Sequence, residues 1–119
     1  MAEHLLALTT LGNEEEASKL ARALVERRVV ACVNVSGPVR SFYSWKGKLE
    51  DDREVLLFMK TRSDRFAELE AVLDELHPYD VPELIATRIA NPLRLDGLYV
   101  GEADTQMHRI PDFVGLPPL

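Results

Sequence analysis

The sequence holds a single cysteine, Cys32. No intrachain disulfide can form, and one chain cannot build a cysteine-based zinc cage. Basic residues are scarce too: 14 Lys and Arg stand against 20 Asp and Glu, for a net charge of -6. Phosphate contacts need clustered cations, so a nucleic-acid partner is not expected. No apolar run approaches the roughly 18 residues of a membrane span, so no membrane partner is expected either. The opening Met1-Ala2-Glu3-His4 lacks the basic flank of a signal peptide, which makes the cytoplasm the expected compartment. A nucleophile elbow, a P-loop, a dinucleotide fingerprint and a metalloprotease helix are all missing.

What is present reads as one globular domain over residues 1–119, long enough for a real core. His4 to Thr10 is a short apolar run ending in two β-branched residues, read as a buried first strand. Gly12-Asn13 breaks it. Asn13, with Glu16 three residues on, predicts a capped helix over about 13–28. Ala17, Leu20, Ala21, Leu24 and Val25 make its apolar stripe. Glu14, Glu15 and Glu16 fall in its first turn and Arg27-Arg28 in its last, both favourable to the helix dipole.

Two long strand-like arms follow, roughly 29–45 and 49–61, joined at Lys46-Gly47-Lys48 and broken at Ser36-Gly37-Pro38. Within the second arm Val55 to Met59 is continuously apolar, which predicts a central strand buried on both faces. Ser63 or Asp64 can cap a second helix with the stripe Phe66, Leu69, Val72, Leu73 and Leu76, stopped by Pro78. Glu83 to Ala90 reads as a further strand. Asp96 can cap a short third helix carrying Tyr99, Ala103 and Met107, and 110–119 reads as an irregular tail.

This order, β-α-β-β-α-β with a terminal helix, predicts an α+β, ferredoxin-like sandwich with an extended hairpin. Both main helices then cover one sheet face. The other face stays apolar, and each hairpin arm runs about twice the modal strand length of roughly 5–6 residues. Self-association covers such a surface. The competing reading is a monomer with an amphipathic open face.

Four segments, in order, carry a family resemblance. They are Ala31-Cys32-Val33-Asn34; Ser41 and Tyr43 with Trp45-Lys46-Gly47-Lys48; Glu54 before the strand closing on Lys60-Thr61; and His77-Pro78-Tyr79-Asp80-Val81-Pro82-Glu83. Together they resemble the CutA-type divalent-cation tolerance family. The resemblance implies a ferredoxin-like homotrimer, kinship in architecture with the nitrogen-regulatory PII proteins, and a link to tolerance of copper and other divalent cations. It supplies no reaction. Some members carry a first-strand cysteine associated with copper where this chain has Thr9, and a second histidine where it has Leu76. Thr87-Arg88 and Glu102 also depart from the family pattern.

The candidate residues follow. His77 is the candidate metal ligand, since imidazole suits copper, zinc or nickel; its other reading is as the C-terminal cap of the second helix. Thr9, Cys32, Lys60, Tyr79 and Glu83 are candidates for a ligand cleft. For Cys32 the commoner reading is a buried structural residue, and the cleft is the alternative. Tyr43 and Trp45, two apart, share a strand face and are candidates for the trimer interface. Glu50-Asp51-Asp52 reads as a solvated stretch of hairpin. Copper or another divalent cation is the expected ligand of a non-enzymatic trimer. Two alternatives stand beside it: an enzyme using Cys32, Lys60, His77, Tyr79 and Glu83, and an RNA binder, disfavoured by charge and by the lack of RNP-type aromatics.

Overall fold

A computed structural model of the chain describes residues 3–89. The expected third helix, the tail, Glu102 and the end of the last strand at Ala90 lie outside the described residues. The order is strand β1 (His4–Leu11), helix α1 (Glu14–Glu26), strands β2 (Cys32–Trp45) and β3 (Lys48–Arg62), helix α2 (Phe66–Leu76) and strand β4 (Ile85–Arg88). The four strands form one sheet in the order β2-β3-β1-β4, every neighbouring pair antiparallel. This is the α+β element order read from the sequence.

Helix α1 starts where expected. The Asn13 side chain accepts from the Glu16 backbone N–H at 2.8 Å, satisfying one of the free donors of the first turn. Asn13→Ala should cost about 1 kcal/mol of stability, read as a lower urea midpoint at unchanged slope. The helix ends earlier than expected, at Glu26, so neither Arg27 nor Arg28 lies in its last turn. Arg28 takes a left-handed φ of 60°. Val29 N–H reaches the Leu24 carbonyl and Arg28 N–H the Val25 carbonyl, the paired bonds of a Schellman closure. That closure turns Val29, Val30 and Ala31 into the core, and the next strand begins only at Cys32.

Helix α2 departs from expectation at its start. A 3-10 turn, Ser63–Arg65, precedes it, and neither Ser63 nor Asp64 caps it. Both side chains are committed elsewhere: Ser63 Oγ accepts from the Glu3 N–H, and Asp64 holds the buried Arg62 guanidinium by two bonds. The helix stops at Leu76, with His77 extended at ψ 134°, as the residue before a proline must be.

The core lies on one side of the sheet. Ala7, Leu11, Val55, Leu57 and Met59 pack against Leu20 and Leu24 of α1 and Leu69 and Leu73 of α2. The continuous run of β3 is therefore not buried on both faces. Val55, Leu57 and Met59 are buried, while Leu56 and Phe58 are half-buried. The reason is layer count: both helices contribute to the one core, and neither covers the far side. Cross-strand partners share a face, and the register sets Ile85 opposite Leu8 and Leu8 opposite Phe58. An apolar row thus crosses the open side, ending on Ile85 at 53% exposure. Strand β4 is shorter than read, since pairing with β1 covers only Leu5 to Leu8.

The β2–β3 hairpin turns in two residues, Lys46 and Gly47, both at positive φ, the signature of a type I′ turn. An irregularity between Val35 and Pro38 inserts one extra residue in β2. Ser36 Oγ accepts the Leu56 N–H there, replacing the ladder bond lost at the bulge. The extra residue also shifts side-chain phase. Before it Asn34 lies across from Phe58; after it Val39 lies across from Glu54, Ser41 from Asp52 and Tyr43 from Glu50. Tyr43 and Trp45 therefore project on the open side of the sheet.

Candidate functional site

A groove of about 480 Å³ lies between the hairpin and the loop after α2. Tyr43, Trp45, Asp52 and Glu54 form the hairpin wall. Tyr79, Asp80 and Glu83 form the loop wall, and Thr10 of β1 also lines it. The loop is held by a chain of hydrogen bonds. His77, 7% exposed, donates from Nε2 to the Thr10 carbonyl at 2.9 Å, with the Thr9 hydroxyl 3.2 Å from the same nitrogen. Its Nδ1 accepts from the Tyr79 N–H at 3.1 Å. This pattern fits the neutral ring with its proton on Nε2. The Tyr79 hydroxyl then donates to Glu54 Oε2 at 2.8 Å, closing the loop onto β3.

Electrostatics follow from that packing. Burial pushes the His77 imidazole below its ordinary 6.5, against the pull of the Thr10 carbonyl and the Glu16 and Glu54 carboxylates. A depressed histidine favours the fold while it stays neutral. Its contribution is full above the unfolded value of 6.5 and is lost as pH falls from there through the folded value. Thermal stability should therefore fall over the window that opens near the unfolded value of 6.5 and runs to lower pH. Calorimetric scans of His77→Gln should show a flatter pH profile over that window. Tyr43 donates its hydroxyl to Asp52 Oδ2, and that bond, with some desolvation, pushes its phenol up to about 12. Burial and the Glu54 carboxylate push the Tyr79 phenol up as well. Both phenols keep their protons at neutral pH and act as donors.

The predicted residues divide among three places. Tyr79, Glu83, Tyr43 and Trp45 meet at the groove. His77 and Thr9 lie behind it as buried support. Cys32 and Lys60 are cross-strand partners, with Lys60 six residues along β3 from Glu54, about 20 Å away. One chain does not bring Cys32, Lys60, His77, Tyr79 and Glu83 together. His77 is the C-cap residue of α2, with its backbone N–H on the Leu73 carbonyl, and both of its ring nitrogens are engaged. Among the described residues no three of His, Cys, Asp and Glu are grouped to hold a metal ion.

Sequence reasoning assigned Asp52 to solvent and gave Glu54 no place in a cleft. A signal was available. A two-residue turn at Lys46-Gly47 pairs Tyr43 with Glu50 and Ser41 with Asp52, so period-2 acids at 50, 52 and 54 share the face of Tyr43 and Trp45.

Comparison with known proteins places the chain among relatives. The family model for the CutA1 divalent ion tolerance protein matches residues 5–94. The Xenopus laevis "Protein CutA homolog" is 48% identical over 83 residues, covering 70% of this chain and 55% of that protein. The Thermus thermophilus "Divalent-cation tolerance protein CutA" is 44% identical over 85 residues, covering 71% and 82%. The solved Thermus thermophilus Cut A1 structure superposes with a TM-score of 0.74 at 42% identity, over 78% of this chain and 92% of that one. The match spans about half the length of the vertebrate relatives, 55% for the frog and 45% for the human protein. With a family model matching residues 5–94, which hold nearly all of the sheet, both helices and the groove, and relatives at 44–48% identity, the chain belongs to the CutA1 divalent ion tolerance protein family.

Proposed function

We propose that this chain acts in divalent-cation tolerance as a homotrimer of ferredoxin-like protomers that takes a cation or small ligand at the groove and catalyses no reaction. The observation that carries this reading is the side of the sheet that neither α1 nor α2, the two helices among the described residues, covers. There the apolar row Ile85, Leu8 and Phe58 continues toward the groove residues Glu54, Tyr43 and Trp45. Copies packing on that side would cover the row and place the groove beside a neighbour. A metal ion would then draw ligands from more than one copy, since the described part of one chain groups no three. The relatives named for divalent-cation tolerance support the physiological role. Copper is the ligand with least support in the residues. Thr9 is buried against His77, Leu76 is apolar, and a metal at His77 would displace one of its hydrogen bonds.

The groove is acidic, which fits a cation and opposes a nucleic-acid partner. No helix among the described residues is long and apolar enough to cross a membrane. The Arabidopsis relative is named as chloroplastic. Equilibrium sedimentation with calorimetric titration of copper and zinc tests the reading. A trimer that binds either ion supports it, and a monomer at micromolar concentration overturns it. Unchanged metal binding in His77→Ala would remove His77 as a ligand.

A further inference from the structure

We infer that the groove is built to take a small organic ammonium ion. The inference rests on reading the groove as the ligand site, and deepens it by naming the ligand class. Three kinds of observation meet here. The first is charge: Asp52, Glu54, Asp80 and Glu83 line the groove, and among the described residues no Lys, Arg or His does. The second is burial. Glu54 is only 8% exposed, yet its one hydrogen-bond partner among the described residues is the neutral Tyr79 hydroxyl. A carboxylate removed from water without a cation is costly, and a ligand cation offsets that cost. The third is the aromatic lining. Tyr43 and Trp45 stand beside these carboxylates, and ring faces attract diffuse cations. Trp45 already shows this property, with the Lys46 ammonium 5.7 Å from its ring centroid.

The same observations favour an organic cation over a bare metal ion. A metal needs at least three converging ligand atoms, and the described residues offer no such group. One Glu54 oxygen is held by Tyr79, and Asp52 is held by Tyr43. An alkylammonium ion needs no fixed coordination shell. It gains from nearby negative charge, from ring faces and from the shedding of water. A volume of about 480 Å³ is within the usual range for small-molecule sites.

Trp45 is the only tryptophan of the chain, so its fluorescence reports on the groove alone. The experiment titrates the purified protein with tetramethylammonium chloride. Sodium chloride at matched ionic strength and tert-butanol, a neutral molecule of similar shape, serve as controls. The expected result is a saturable change with tetramethylammonium and none with either control. Glu54→Gln should weaken the response roughly tenfold or more, since a charged partner is lost from a buried site. Should that variant fail to fold, Asp52→Asn, on the exposed hairpin, should still weaken it several-fold. Absence of saturation up to about 0.1 M, where a millimolar site would be full, overturns the inference. So does an equal response to tert-butanol, or an undiminished response in Asp52→Asn. Sedimentation and zinc titration on the same sample separate the two levels. A trimer that binds zinc but not tetramethylammonium overturns this inference alone. A monomer that still saturates supports it and removes the trimer reading.

Discussion

Leu57→Ala is expected to destabilise the protomer by about 3 kcal/mol, in the roughly 2–5 range for such truncations in a packed core. Leu57 is 0% exposed, at the centre of β3, in the one cluster that joins both helices to the sheet. Its removal loses transfer free energy and leaves a cavity that two helices and a central strand cannot easily close. Urea unfolding at fixed protein concentration is the measurement, because the proposed assembly would make apparent stability depend on concentration. The midpoint should fall with the slope unchanged. A loss below about 1 kcal/mol would mean that the site relaxes freely, contrary to a shared core.

Phe58→Asp, one residue along, should have the opposite character. Phe58 points to the other side of β3, where it is half-buried and partnered by Leu8 and Asn34. In a lone chain a carboxylate there keeps access to water, so the fold should survive. Between packed copies it would be an unpaired buried charge, costing several kcal/mol at each contact. The variant should therefore keep its far-ultraviolet circular dichroism and sediment with the mass of a single chain. Retention of the full assembly by Phe58→Asp would show that this side of the sheet is not where copies meet. Neighbouring residues of one strand thus separate folding from association.

Much of the fold was legible from local rules. Asn13 with its three glutamates announced α1, and Lys46-Gly47 announced the hairpin, because these signals are satisfied by near neighbours. His77-Pro78 marked the end of α2 for the same reason: the proline ring restricts the residue before it. Where reading along the chain went astray, long-range partners had intervened. Asp64 looks like a helix cap but is taken by the buried Arg62. Arg28 looks like a helical residue but sits in a left-handed closure that carries Val29 into the core.

The groove shows the same division. Tyr79, Glu83, Tyr43 and Trp45 could be singled out as polar or aromatic residues at strand ends and in a loop. Their meeting could not, because it depends on the bulge near Ser36 and on the reach of Tyr79 to Glu54. Cys32 and Lys60 looked equally eligible, and the register leaves them at the far end of the sheet.

By itself the sequence determined the element order, the apolar faces, the turn and the family, since each is written in the spacing and identity of residues close along the chain. Only the tertiary structure decided which of the two apolar faces of β3 the helices cover and which acids stand beside Tyr43 and Trp45. The physical reason is that side-chain direction on a strand alternates every residue. A single inserted residue reverses it, and only the pairing with a distant strand reveals the result.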